Sequence, residues 1–208
     1  HDIKTPLTSI INYVDLLQKE DIDNEKVREY LDVLDRQSSR LKKLIQDLLE
    51  ASKASTGSIN VELEELDAAV MLSQVAGEYE EKFKKNNLDL IIKNDVTPVM
   101  IQADGRHLWR VFDNLMNNIN KYAQPGTRVY IDIIPKEGGA IITFKNVSAT
   151  PLNISSDELK ERFVRGDSSR NTEGSGLGLS IAESLMKLMK GTLELTVDGD
   201  LFKVTLEF

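Results

Sequence analysis

Apolar side chains in the N-terminal part of the chain recur at alternating spacings of four and three residues, the pattern of a helix with one apolar seam. The pattern runs twice, and the polar segment 19–24 separates the two runs. The seam residues are Ile3, Leu7, Ile10, Val14 and Leu17 in the first run, and Val27, Leu31, Leu34, Ser38, Leu41, Ile45 and Leu48 in the second. These runs predict an antiparallel helical hairpin, with Asp23 or Asn24 as the cap that starts its second helix.

A hairpin of two helices buries its seam on one side only. The simplest cover for the other side is a second copy of the chain, which gives a dimeric four-helix bundle. A monomeric hairpin packed on the rest of the chain is the alternative. The small, polar segment 52–58 ends the second helix, so we expect a hairpin over residues 1–56 and a second domain over residues 57–208.

The second domain alternates between strands and helices. Strands are predicted at residues 59–66, 88–93, 99–103, 129–134, 140–144, 192–197 and 201–208. Helices are predicted after the capping residues Asp67 and Asp104, in a short segment with capping-box spacing at Ser155 and Glu158, and over residues 176–189. Strands that mostly pair with their neighbours, with helices between them, predict an α+β sandwich: one mixed sheet covered on one face by helices.

The composition excludes several classes of function. The 208 residues include no cysteine, which excludes disulfides, thiolate nucleophiles and cysteine-bound metals. A formal net charge of -8 argues against a nucleic-acid partner bound through its phosphates. No apolar run approaches the roughly 20 residues that a membrane-spanning helix needs. The chain begins without Met inside a helical pattern, so we expect it to be a piece of a longer polypeptide.

The most specific short stretch is the glycine-rich segment EGSGLGLS at residues 173–180. Gly174, Gly176 and Gly178 alternate just before a predicted helix, and the backbone N–H groups at a helix N-terminus form an anion site suited to phosphates. A plain turn is the alternative for this stretch taken alone.

The helix predicted after Asp104 carries four asparagines, although asparagine is a poor helix former. Asn114, Asn118 and Lys121 share one face of that helix. Amide oxygens suit Mg²⁺, which usually keeps substrate phosphates among its ligands, and a lysine neutralises phosphate charge. A solvated polar face is the alternative, but together with the glycine-rich segment this face predicts a magnesium–nucleotide site.

Four stretches, in this order, resemble the motifs of two-component sensor histidine kinases. The opening HDIKTPLTSI resembles the phosphoacceptor box, residues 114–122 the asparagine box, residues 161–163 the phenylalanine box and residues 174–179 the second glycine box. The resemblance covers essentially the whole chain. It implies a dimerisation and phosphotransfer hairpin followed by an ATP-binding domain of the histidine-kinase and gyrase type.

The same resemblance implies cofactors, partners and a location. The cofactors are ATP and Mg²⁺, and the partners are a second copy of the chain, bound through the hairpin, and the receiver domain of a response regulator. The location is cytoplasmic, with membrane anchoring only through upstream segments of a bacterial sensor.

The resemblance also assigns roles at the start of the chain. His1 is the phosphorylated side chain, and its neutral imidazole is a competent nucleophile near neutral pH. Asp2 orients the imidazole ring or takes its proton. Thr5 resembles the position that orients a water to dephosphorylate the partner. A surface hydroxyl bonded back to its own helix is the alternative for Thr5.

In the second domain the resemblance assigns the remaining site residues by motif. They are Asn118 at the magnesium ion with Asn114 beside it, Lys121 at the phosphates, Tyr122 against the nucleotide, Gly174, Gly176, Leu177 and Gly178 in the glycine-rich loop, and Arg162 and Arg165 at the transferring phosphoryl group. Solvated charges of a mobile lid are the alternative for the two arginines.

The chain departs from the family pattern at Asn146. The family normally has an aspartate here, which accepts a hydrogen bond from the adenine amino group, with glycines after it. The amide oxygen of Asn146 accepts the same bond, but without charge assistance. The first glycine box also has no glycine in this chain, whose residues 144–151 are FKNVSATP.

The sequence thus predicts an ATP-dependent protein-histidine kinase. It transfers the γ-phosphoryl group to its own His1 and then to an aspartate of a response regulator, with regulator phosphatase activity in addition. Two alternatives stay open: a kinase-weak signalling and phosphatase module that binds the regulator, which Asn146 favours, and an ATPase of the same fold without histidine transfer.

Overall fold

The computed structural model describes residues 4–18, 24–152 and 177–208. The helices are α1 (Lys4–Leu17), α2 (Asn24–Ser55), α3 (Ala68–Lys85), α4 (Gly105–Tyr122) and α5 (Gly178–Leu188). The strands are β1 (Glu64–Asp67), β2 (Asp89–Asn94), β3 (Met100–Ala103), β4 (Arg128–Lys136), β5 (Gly139–Val147), β6 (Thr192–Asp198) and β7 (Leu201–Glu207). The predicted fold, a helical hairpin followed by an α+β domain, is confirmed. Within the described ranges, no helix combines the length and the apolar character that crossing a membrane requires.

The first two helices form the predicted hairpin. The rings of Tyr13 in α1 and Tyr30 in α2 pack with their centroids 5.3 Å apart, which fixes the antiparallel register. Much of the apolar seam is not covered by packing within the hairpin: Leu31 is 52% exposed and Leu48 is 50% exposed. Helix α2 ends at Ser55, next to the predicted boundary at residue 56.

The second domain is built on a five-stranded sheet with the strand order β2-β4-β5-β7-β6. Strand β2 pairs in parallel with β4, and the other pairs are antiparallel, so the sheet is mixed, as predicted. Alternate side chains of each strand face one side, where for example Phe144 in β5 lies opposite Val204 in β7. These side chains form one buried core with the apolar faces of α3, α4 and α5.

The opposite face of the sheet is polar and carries no helix in the described part of the chain. Its central residues include Tyr130, Lys145 and Lys203, which lie side by side on β4, β5 and β7. Lys145 pairs with Asp132 at 2.5 Å on the same face. The sheet ends in β2 on one side and in β6 on the other, and β6 exposes Glu194 and Asp198.

The prediction for residues 59–66 is wrong in its extent. Only Glu64–Asp67 forms a strand, and this strand pairs with β3 in a separate two-stranded sheet. Before it, Ile59 and Val61 pack on the core without a partner strand. The backbone N–H of Glu62 donates to the carboxylate of Asp104 at 2.9 Å. This N–H is therefore bonded to a side chain and not to the backbone of a neighbouring strand.

Candidate functional site

The N-terminus of α4 is fixed by Asp104. Its carboxylate accepts hydrogen bonds from the backbone N–H groups of Arg106 at 3.0 Å and His107 at 3.2 Å, in addition to that of Glu62. Burial alone would raise the pKa of this carboxyl, but the three N–H donors outweigh it, and the pKa of Asp104 lies below its usual value. The asparagine-bearing helix is therefore anchored to the loop before β1 as well as capped.

The apolar side of α4 sets the direction of its polar side. Leu108, Val111, Phe112 and Leu115 are fully or almost fully buried against the sheet. The ring of Phe112 packs on that of Phe144 in β5, with the centroids 5.9 Å apart. Because this face is held by the core, the opposite face cannot rotate, and its side chains are fixed relative to the sheet.

Asn114 and Gly178 form one of the contacts between α4 and α5. A side-chain carbon added at Gly178 would lie 3.3 Å from the Oδ1 atom of Asn114, so the start of α5 lies directly on the asparagine. Asn114 is only 8% exposed, and among the described residues its Nδ2 group has no hydrogen-bond partner. A buried N–H donor without an acceptor costs free energy, which a bound anion relieves.

The N-terminus of α5 supplies further donors. Leu177 precedes the helix and provides no side-chain cap, and the hydroxyl of Ser180 donates to the Leu177 carbonyl at 2.8 Å rather than accepting from the first turn. The N–H groups of this first turn and the helix dipole therefore favour an anion beside Asn114. The two features point to one anion site, formed where α4 and α5 meet.

The other predicted residues of α4 continue the same side of the helix. Asn118, Lys121 and Tyr122 are all half-buried. With Asn114 they run from the Gly178 contact to the C-terminal end of α4. The structure thus brings the polar face expected from the sequence next to the N-terminus of α5.

Asn146 lies on the inner face of the sheet, near the end of β5. It is 4% exposed and pairs across the ladder with Phe202. Its Nδ2 group donates to the neighbouring Val147 carbonyl, at 3.3 Å. The chain next to it is joined to the end of α4, because the N–H of Ala149 donates to the Tyr122 carbonyl at 2.8 Å. Asn146 therefore lies at the end of the sheet where Tyr122 ends the helix.

Several predicted site residues cannot be placed. His1, Asp2, Arg162, Arg165, Gly174 and Gly176 lie outside the described residues, as do Ser155 and Glu158 of the predicted short helix. Thr5 is described and is exposed in the first turn of α1. Its role, like those of the other site residues, stays a prediction.

Sequence reasoning missed one charged group next to the site. Arg110 lies one turn before Asn114 on α4 and reaches across to two carboxylates of α2. No motif contains this group, and its partners are about 60 residues away in the sequence, so only the packing of the two helices reveals it.

Comparisons with known proteins identify the family. Residues 1–57 match the His Kinase A (phospho-acceptor) domain, and residues 103–208 match the histidine kinase-, DNA gyrase B-, and HSP90-like ATPase family. The chain belongs to the two-component sensor histidine kinases. The predicted recognition is confirmed, and the second domain of this histidine kinase is an ATP-binding domain.

Individual relatives and structures agree with this assignment. The chain is 31% identical over 196 residues to the sensor protein VanSC of Enterococcus gallinarum, which covers 93% of the chain and 54% of that relative. The chain thus spans about half the length of this relative. It shares a fold with the Acinetobacter baumannii histidine kinase AdeS, with a TM-score of 0.75 at 18% identity over 100% of this chain and 96% of that one. It also shares a fold with the histidine kinase ThkA, solved in complex with the response regulator protein TrrA, with a TM-score of 0.73 at 22% identity over 100% of this chain and 59% of that one.

Proposed function

We propose that this chain is the catalytic core of a sensor histidine kinase that transfers the γ-phosphoryl group of ATP to His1 and then to an aspartate of a response regulator. The observation that carries the proposal is the contact of Asn114 with Gly178, where a buried amide donor meets the N-terminus of α5. Anionic phosphate oxygens are ligands that suit both groups.

The residues present fit a magnesium nucleotide. The amide oxygen of Asn118 holds the metal ion, with Asn114 beside it, and Lys121 on the same face balances phosphate charge. Tyr122 lies against the nucleotide, and Asn146 accepts from the base amino group. Gly174, Gly176, Leu177 and Gly178 bring the backbone close to the phosphates. Mg²⁺, when bound, neutralises charge on the phosphate oxygens.

The transfer itself needs a nucleophile and charge stabilisation. A ring nitrogen of His1 forms a bond to the γ-phosphorus while the bond to the β–γ bridging oxygen breaks, so that ADP leaves. Asp2 takes the imidazole proton or orients the ring. Arg162 and Arg165 stabilise the charge on the transferring group. The family motifs of the sequence support these four roles.

The hairpin supports dimerisation and regulator binding. Its exposed seam, with Leu31 and Leu48 about half exposed, matches the face that a second copy covers in a four-helix bundle. The regulator receives the phosphoryl group from His1 on the surface of this bundle. Thr5 orients a water that hydrolyses the aspartyl phosphate of the regulator, so that inorganic phosphate leaves. The core lies on the cytoplasmic side of a membrane, anchored by segments outside this chain.

The test is a phosphorylation assay with the full-length protein that carries this chain, γ-labelled ATP and Mg²⁺. We expect an acid-labile label that disappears in His1→Gln and in Asn118→Ala. The chain offers a matched control, since His107 is its other histidine, and His107→Gln must keep the label. Label that survives in His1→Gln contradicts the proposal.

A second candidate function follows from Asn146. Without a carboxylate at this buried position, the bond to the base is weaker, which favours a module with little kinase activity that binds and dephosphorylates the regulator. Absence of label in the same assay, together with regulator dephosphorylation that is lost in Thr5→Ala, supports this candidate over the kinase.

A further inference from the structure

Helix α2 meets α4 through a cluster of three charged side chains. The Arg110 guanidinium on α4 contacts Asp47 through Nη2 at 2.7 Å, and its Nε donates to Glu50 at 2.9 Å. Asp47 is 5% exposed, although most of α2 faces solvent. We call these three residues the interdomain clasp, because α2 belongs to the hairpin and α4 to the ATP-binding domain.

Helix α2 also packs on α5 of the ATP-binding domain, beside the clasp. Where α2 packs on the core of the ATP-binding domain, the partly buried side chain is that of Ala51, a single methyl group. Of the nearby leucines of α2, Leu48 and Leu49 are 50% and 55% exposed, whereas Leu44 is 5% exposed. The clasp therefore adds a charged contact between α2 and α4 to the packing of α2 on α5.

The ATP-binding domain orients its half of the clasp in advance. Asp113 lies 3.5 Å from the other side of the Arg110 guanidinium and accepts a hydrogen bond from the hydroxyl of Tyr79 at 2.6 Å. Burial and this bond raise the pKa of Tyr79 above its usual value, so the hydroxyl stays a donor. Tyr79 and Asp113 thus hold the guanidinium toward α2 before the hairpin is in place.

The clasp is reachable by water. It lines a cleft of about 600 Å³, together with Lys42 and Lys43 of α2. The Arg110 side chain is 27% exposed and that of Glu50 is 25% exposed. Burial alone would lower the pKa of Arg110, but Glu50 and Asp47 keep it above its usual value, so the guanidinium is charged in the clasp. Charges that water can solvate can separate without becoming buried and unpaired.

We infer that Arg110 is a positioning residue, which docks the ATP-binding domain on α2 through Asp47 and Glu50 and is released when the domain moves on the hairpin. Arg110 and Asn114 are one turn apart on the same rigid helix. The clasp therefore also fixes the position of the polar face of α4 relative to the hairpin. An interaction present in the docked arrangement alone lowers the population of every other arrangement. The clasp therefore slows any step that requires the domain to leave this position.

The test measures domain docking without phosphotransfer, so its outcome is independent of the proposed function. The chain contains no cysteine, so spin labels attach only at two introduced positions, Asp35→Cys on α2 and Glu137→Cys in the β4–β5 turn. Labelled chains are diluted with unlabelled chains, and the label-to-label distance is measured by pulsed electron paramagnetic resonance. We expect one narrow distance in the parent chain.

Charge reversal then tests the clasp itself. In Arg110→Glu we expect the ratio of docked to undocked domains to fall at least about tenfold, with a broad distance distribution, because like charges replace both pairs. The triple variant Arg110→Glu, Asp47→Arg, Glu50→Arg restores opposite charges and the narrow distance. Arg106→Glu is the matched control, since Arg106 has the same charge on the same helix but is 77% exposed and has its ion pair within its own domain, with Asp104.

Two results overturn the inference. The first is a narrow, unchanged distance in Arg110→Glu. The second is a triple variant whose distance distribution stays broad while thermal unfolding shows a folded ATP-binding domain. If Arg110→Glu alone fails to fold, the triple variant decides the question by the same distance.

Discussion

The hairpin and the ATP-binding domain differ in how far they bury their apolar side chains. In the ATP-binding domain the side chains of α3, α4, α5 and the sheet form one core, in which Phe112 and Phe144 are almost completely buried. In the described part of the hairpin the buried residues are Pro6, Leu44, Asp47 and Ala54, and the large seam residues stay half exposed. The core of the ATP-binding domain is therefore formed within one chain, whereas the hairpin leaves an apolar face exposed, as the proposed dimer requires.

The largest effect is expected in the core of the ATP-binding domain. Phe112→Ala removes a fully buried ring and should lower the free energy of unfolding of this domain by about 3–5 kcal/mol, measured by urea denaturation. Ile134→Ala is the control, because Ile134 is 55% exposed on β4, and it should change the free energy little. A small effect of Phe112→Ala would contradict the view that the core of this domain is formed within one chain.

A substitution in the seam of the hairpin should weaken association of two chains. Leu48→Ala removes a half-exposed seam residue from both copies, so we expect the dimer to weaken by about 2 kcal/mol, or roughly 30-fold in dissociation constant, measured by analytical ultracentrifugation. Val70→Ala, at a site on α3 that is 53% exposed, should leave the dimer unchanged. Equal dissociation constants for Leu48→Ala and the parent chain would contradict the view that the exposed seam of the hairpin binds a second copy.

The cap of α4 gives a pH-dependent effect within the ATP-binding domain. Asp104→Ala should cost about 1–2 kcal/mol of its stability at pH 7, because three backbone N–H groups lose their acceptor. The pKa of Asp104 is lowered in the folded state, so this stability is present above the unfolded pKa of about 4 and is lost as the pH falls through the lower folded pKa.

Urea denaturation at pH 7 and pH 3 checks the sign. The difference between Asp104→Ala and the parent chain should shrink at the lower pH. Asp95→Ala, an exposed aspartate in the loop after β2, is the control and should show little difference at either pH. A constant difference for Asp104→Ala would mean that its charge does not contribute.

The smallest effect concerns the nucleotide. Asn146→Asp introduces a charged acceptor, and we expect ATP to bind more tightly by about 1 kcal/mol, or about fivefold, measured by calorimetry. Asn60→Asp makes the same change in an exposed loop and should leave the affinity as it is. Unchanged affinity in Asn146→Asp would refute the role given to this residue.

Local signals made much of the fold predictable. Asp67 and Asp104 start α3 and α4 as their capping pattern predicts, and the turn at residues 198–201 joins β6 to β7. Local signals could not predict the structure of segment 59–63. Its alternating pattern reflects packing of Ile59 and Val61 on the core and not pairing with a strand.

The part of the site that lies on a single helix was predictable from the sequence. The spacing of Asn114, Asn118 and Lys121 is enough to place them on one face. The contact of Gly178 with Asn114 and the reach of Arg110 to α2 depend on how separate elements pack, which no local pattern encodes. Burial of Asn146 on the inner face follows the strand alternation only once the ends of β5 are known.

The acidic strand β6, at the edge of the described sheet, has a consequence for the proposed dimer. Two ATP-binding domains tethered to one bundle experience a high effective concentration of each other, and open sheet edges at such concentrations tend to fuse into one continuous sheet. Glu194 and Asp198 on β6 would bring like charges together across such a seam. In the proposed dimer this repulsion would disfavour pairing of the two β6 edges, so each ATP-binding domain would keep its own sheet.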